Sequence, residues 1–178
     1  MPSNVEIKAL VPDIQRLHCL AKKLSRSEGT LIEQEDTFFN VSNGRLKLRV
    51  LKSGVSMLIF YKRSDQFGPK VSDFHITEIQ NPQDLKASLG LALGIKGDVK
   101  KRRMLYMVGQ TRLHVDSVEG LGDFMELEVM MQPKQTTQEG ETIAKDLMNQ
   151  LEVSPENLIE GAYMDMLLKK ANKCNGHS

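Results

Sequence analysis

The sequence lacks most of the features that would tie it to a membrane, an oxidising compartment or a nucleic acid. It has two cysteines, Cys19 and Cys174, far apart and outside any metal-ligand spacing. So few thiols exclude a disulfide framework and point to a reducing compartment. No apolar run approaches the ~18 residues that a membrane span needs, and the opening MPSNVEIKAL has no apolar stretch of secretory type. A cytoplasmic location with no membrane partner is expected. Net charge is only +1, so no global field draws the chain toward nucleic acid. No Pro/Gly/Ser-rich linker, internal repeat or low-complexity segment divides it, and 178 residues suffice for one domain with a core of its own. A single domain over 1–178, monomeric or homodimeric, is the expectation.

What the chain does have is alternation. In GDFMELEV, Gly122 to Val129, Glu126 and Glu128 stand two apart, so on a strand they share a face, while Met125, Leu127 and Val129 take the other. Adjacent like charges cost stability on a plain sheet, and a divalent cation held by oxygen ligands would offset them. A solvated strand face is the simpler reading for one such pair, but the pattern recurs. Val5 to Val11 puts Asn4, Glu6 and Lys8 opposite Val5, Ile7 and Ala9. Arg45, Lys47 and Arg49 share one face of the strand Arg45 to Leu51, Lys101 and Arg103 one face of Lys96 to Val108, and Arg112, His114 and Asp116 one face of Thr111 to Val118. Two further strands, Leu31 to Val41 and Ser56 to Arg63, flank the turns Ser42-Asn43-Gly44 and Ser53-Gly54. Val71 to Ile79 follows a loop at Asp65 to Lys70.

Helical spacing governs the rest. Asp13 caps a helix carrying Ile14, Leu17, Leu20, Ala21 and Leu24. Pro82 opens a second, which runs to Leu93. A helical tail is expected over about 138–170, in two pieces starting at Gln138 and at Pro155, with Tyr163, Met164, Leu167 and Leu168 packed against the sheet and 172–178 frayed. His18 reads as a helix-surface residue, and His114 as a hydrogen-bonding neighbour of Asp116.

About eight short-linked strands with helices inserted make an α+β chain that is mainly antiparallel β. A closed eight-stranded barrel with the helices packed outside fits, because closure removes exposed edges. In such a barrel the apolar faces meet the helices and the charges line a tunnel. That lining is costly unless it holds a guest, and a polyanion with divalent cations suits it: Lys and Arg meet phosphate oxygens while carboxylates hold Mg²⁺ or Mn²⁺.

The order Glu-x-Lys, LKLR, KKRRMLY and ELE resembles the CYTH superfamily, the triphosphate tunnel metalloenzymes, which include class IV adenylyl cyclases and thiamine triphosphatases. The resemblance spans about residues 3 to 168 and is clearest in VKKRRMLY and RLHVDSVEGLGDFMELEV. It implies a small-molecule triphosphate as partner, with no nucleic acid. By motif it implies Glu6, Asp116, Glu126 and Glu128 as metal ligands, with Glu6, Lys8, Glu126 and Glu128 carrying catalysis. Lys8, Arg45, Lys47, Arg49, Lys101 and Arg103, with Lys62 or Arg63, would bind phosphate. One departure stands out: the first Glu of the family's opening motif is Asn4 here, an amide and so a weaker metal ligand. The expected activity is hydrolysis of inorganic triphosphate, thiamine triphosphate or a nucleoside triphosphate. The alternatives are cyclisation of ATP to cyclic AMP and pyrophosphate, and polyphosphate or nucleotide binding without turnover. The absence of tryptophan disfavours a tryptophan platform for thiamine. Phe60, Tyr61 and Tyr106 are aromatic candidates for stacking a base, although core packing is the simpler role of each.

Overall fold

A computed structural model describes residues 2–64 and 68–175. Eight antiparallel strands form a closed barrel: β1 (Ser3–Leu10), β2 (Thr30–Phe39), β3 (Arg45–Leu51), β4 (Ser56–Arg63), β5 (Lys70–Glu78), β6 (Ile95–Val108), β7 (Thr111–Val118) and β8 (Gly122–Met130). The order around the barrel is β1-β5-β4-β3-β2-β6-β7-β8, and β8 pairs back onto β1. Among the described residues four α-helices accompany it: α1 (Ile14–Ser25), α2 (Pro82–Leu93), α3 (Thr137–Gln150) and α4 (Tyr163–Asn175). The architecture is the expected α+β barrel. Among the described residues, no helix is long and apolar enough to cross a membrane.

Local chemistry explains the boundaries. Asp13 accepts the Arg16 amide at 3.0 Å and starts α1. Thr136 and Glu139 form a reciprocal capping box on α3. Gly44, with φ 63°, closes the turn into β3, where a Cβ would come within 2.6 Å of the Phe60 ring. Three expectations need correction. Pro155 starts only a short 3₁₀ turn, Pro155–Asn157, and the last helix begins at Tyr163, because backbone contacts hold the segment between them: Ala9 bridges to Leu158, and the Ile159 amide donates to the Lys8 carbonyl at 3.0 Å. Asn172 to Asn175, read as frayed, continue α4, and 176–178 lie outside the described residues. The expected loop at Asp65 to Lys70 falls partly on 65–67, also outside them, and Lys70 already belongs to β5.

Two apolar clusters set the position of the site. On the outside of the barrel Val5, Ile7, Ala9, Leu113, Val115, Met125, Leu127 and Val129 are buried beneath Leu17 and Ala21 of α1 and Ala144, Leu147 and Met148 of α3. The apolar faces therefore point outward into helices, and the charged faces point into the lumen. The second cluster joins Phe38, Ile59, Val99, Val118 and Phe124 to Tyr163 and Met164 of α4. Phe38 lies at the end of β2, Val99 near the start of β6, Val118 at the end of β7 and Phe124 near the start of β8. Antiparallel pairing brings these termini to one rim, so α4 caps that rim and the lumen becomes a cup.

Candidate functional site

The cup is a cavity of about 120 Å³ lined by seven cations (Lys8, Lys47, Arg49, Arg63, Lys101, Arg103 and Arg112) and four carboxylates (Glu6, Asp36, Glu126 and Glu128). Strand parity produces this: each contributing strand turns alternate residues inward. Three ionic groups organise the wall. Arg63 of β4 donates to Glu6 of β1 at 2.7 Å. Asp36 of β2 accepts two bonds from Arg49, each 2.8 Å, and lies 3.2 Å from the Lys47 ammonium. Arg103 of β6 makes a fork to Asp116 through two bonds of 2.7 Å and a third of 2.7 Å to Glu126. Lys8 completes that group 3.1 Å from Glu126, with Tyr163 donating to Asp116 at 2.8 Å. Lys8 and Lys101 also lie over the Tyr163 ring at 4.0 and 4.9 Å.

Burial sharpens these interactions. Burial pushes Lys8 and Lys47 below their ordinary values, and with Arg103 beside it Lys101 is pushed down to about 7. Glu126 is held well below the usual carboxylate range: burial opposes its ionisation, but Lys8 and Arg103 outweigh it. Asp36 goes the same way, with Arg49 and Lys47 outweighing burial. The site therefore carries ionised carboxylates, an excess of cations, and one lysine that titrates near neutrality.

The inferred residues divide by environment. Glu6, Lys8, Lys47, Arg49, Lys101, Arg103, Glu126 and Glu128 all line the cavity. Of the pair Lys62 and Arg63, Arg63 points inward to Glu6, whereas Lys62, one residue out of step, is exposed on the outer face; the phosphate role inferred for Lys62 is corrected on that ground. Arg45 lies at the capped rim, 3.1 Å from Asp165 of α4. Asp116 lies behind the cavity wall, with its oxygens taken up by Arg103 and Tyr163. His114 stands across from Glu126, and its Nδ1 makes no hydrogen bond to Asp116. Phe60 alternates away from the lumen, Tyr106 bonds to His18 at 2.8 Å, and Tyr61 is the aromatic of the three that lines the cup.

Other residues join the site with weaker signals in the sequence. Asp36 of β2 shares its alternation with Gln34 and Phe38, and that spacing is the only local sign of its lumen face. Tyr163 reaches the site only because α4 folds over the rim. Lys70, 2% exposed, lines a small recess with Glu6, Arg63, Glu126 and Glu128, hidden in the sequence by its place at a loop's end.

The donor set fits a divalent cation at one corner. Ligand atoms of His114, Glu126 and Glu128 all lie within 4.8 Å of one another. Asn4 also lines the cavity, and its buried Oδ1 has no hydrogen-bond partner among the described residues. Glu6 is outside this group, held by Arg63.

Known proteins share this arrangement of strands. A Methanocaldococcus jannaschii protein named "putative adenylate cyclase" is 25% identical over 176 residues, covering 92% of this chain and 97% of its own. Among solved structures, a Pyrococcus horikoshii OT3 protein superposes with a TM-score of 0.78 at 23% identity, over 91% of this chain and 98% of its own. A Vibrio parahaemolyticus protein described as a "putative adenylate cyclase" gives 0.75 at 18% identity, over 92% and 97%. The profile of the CYTH domain matches residues 3–163, and the chain belongs to that family.

Proposed function

We propose that this chain is a metal-dependent triphosphatase. The observation that carries the reading is the surplus of cations over carboxylates lining a cup closed at one end, with three of the carboxylates, Glu6, Glu126 and Glu128, on the neighbouring strands β1 and β8. A buried cation excess is unfavourable by itself and is offset by a polyanionic guest. The cavity of about 120 Å³ is well below the ~300–1,000 Å³ of pockets for drug-sized ligands, which suits a phosphate chain held alone.

Lys8, Lys47, Arg49, Arg63, Lys101 and Arg103 grip phosphate oxygens, each exchanging part of its present carboxylate contact for phosphate. Asp116 and Tyr163 keep the Arg103 fork aimed while this happens. Glu126 and Glu128 hold the cation, which when bound supplies charge neutralisation and an activated water. In the hydrolysis a water oxygen bonds the terminal phosphorus as that phosphorus's bond to the bridging oxygen breaks; orthophosphate and the shortened chain leave, and the proton lost by the water passes to solvent. The closed floor excludes bulk water on one side, where these charges act most strongly.

A second reading, cyclisation of ATP to cyclic AMP and pyrophosphate, is favoured by one observation. Ile59, Phe74 and Ile76 form an apolar strip on the β4–β5 side of the cavity, and Ile76 is 48% exposed. Such a strip would suit a nucleobase, and relatives bear the cyclase name.

A product assay with Mg²⁺ and with Mn²⁺ on inorganic triphosphate, ATP and thiamine triphosphate separates the readings. Phosphate release supports the triphosphatase, whereas cyclic AMP with pyrophosphate from ATP replaces it with the cyclase. Tight binding without either product overturns both and leaves a binding module. Glu126→Gln with Glu128→Gln should abolish turnover with the fold retained; undiminished activity in that variant defeats the metal reading.

A further inference from the structure

We propose that His114 joins Glu126 and Glu128 in a nitrogen-containing site for a first-row transition cation, so that ions of the Mn²⁺ and Co²⁺ type, rather than Mg²⁺, occupy it. The proposal rests on the reading above that the β8 carboxylates hold a divalent metal, and adds a ligand and a selectivity.

Three observations converge. The His114 side chain is 5% exposed, and its Nδ1 has no hydrogen-bond partner among the described residues, an arrangement rare for a buried polar atom. That nitrogen lies 3.8 Å from Glu126 Oε2 and 3.9 Å from Glu128 Oε1. Both distances are too long for hydrogen bonds, yet donors sharing one ion at roughly 2.0–2.2 Å stand about 3–4 Å apart. Strand pairing builds the triangle: His114 is directly opposite Glu126, and Glu128 is the next inward residue of the same strand.

The chemistry decides the metal. Mg²⁺ prefers oxygen donors and keeps its waters, whereas imidazole nitrogen favours first-row transition ions.

The test uses the full chain stripped of metal. Calorimetric titration with Mn²⁺, Co²⁺ and Mg²⁺ should rank Mg²⁺ weakest. His114→Ala should weaken Mn²⁺ and Co²⁺ by about tenfold or more and Mg²⁺ by less than about threefold. Electron spin-echo spectroscopy of the Mn²⁺-loaded wild-type protein should show modulation from a directly bound ¹⁴N, a readout that needs no variant to fold. Absence of that modulation, or equal losses for all three ions, overturns the proposal. If Glu128→Gln then still abolishes metal binding and turnover, the triphosphatase reading stands without it. If no divalent ion binds the wild-type protein, both fall.

Discussion

Replacing Arg103 with methionine tests whether the cup is held by compensated charge. Arg103 is 3% exposed and satisfies Asp116, which is fully buried, through two bonds of 2.7 Å. Methionine keeps much of the volume but leaves Asp116 with Tyr163 and with Lys101 at 3.9 Å. Breaking a buried ion pair from one side costs about 3–5 kcal/mol. For a domain of this length each kcal/mol lowers Tm by about 2–4 °C, so the variant should melt about 6–20 °C lower at pH 7 by circular dichroism. The pH dependence carries the diagnosis. In the wild type, burial pushes the Asp116 carboxyl up, but Arg103 and Lys101 outweigh it and hold the group below its ordinary value. Its stabilisation is therefore complete above the unfolded-state value of about 3.9 and lost as pH falls through the folded one. Without Arg103, burial dominates and the folded value rises above 3.9, so acidification toward pH 4 protonates the stranded carboxylate and relieves the variant. The Tm gap should narrow from pH 7 to pH 4, and Asp116→Asn added to the variant should recover a large part of the loss. A gap below about 1 kcal/mol, or one independent of pH, would refute the argument.

Three other outcomes are expected. Lys101, at about 7 in the free site, regains its proton beside a polyanion, so triphosphate binding at pH 8 should take up close to one proton and weaken up to about tenfold per pH unit above 7. Calorimetry in buffers of different ionisation enthalpy measures this, and Lys101→Arg should remove it. Arg49→Ala deletes a bidentate cation and should weaken triphosphate by about 1.5–3 kcal/mol, roughly 10- to 100-fold, and orthophosphate much less; equal losses in direct binding would argue against a wall that grips several phosphates. Gly140→Ala should lower Tm despite its gain in helix propensity of about 1 kcal/mol, because the new methyl meets Met131 Sδ at 2.6 Å and Val5 Cγ2 at 2.8 Å where α3 lies on β1. Overpacking of that kind costs about 1–3 kcal/mol, and an unchanged melting curve would mean α3 is free to lift.

Local covalent rules decide much of this molecule. Period-two alternation is a property of the strand backbone, so the faces bearing Glu6 and Lys8, Lys47 and Arg49, Lys101 and Arg103, and Glu126 and Glu128 were legible without coordinates. The caps at Asp13 and Pro82 were legible for the same reason, since each acts within one helical turn. Relations between distant segments were not. Nothing local distinguishes Lys62 from Arg63 until the register of β4 against β5 is known. Parity placed His114 on the correct face but not beside Glu126, because a cross-strand neighbour depends on pairing between β7 and β8. Asp116 carries the same residue type whether it meets a metal or an arginine, and only the approach of β6 and α4 commits it to Arg103 and Tyr163. The closed floor has the same origin: Tyr163 is an ordinary apolar helix position in sequence, and it enters the site because the segment from Leu158 to Ala162 is held against β1 and sets α4 across the rim. The sequence by itself determined the alternating faces and the inventory of charges; the tertiary structure decided which charges meet, because closure of the barrel brings together residues separated by more than a hundred positions.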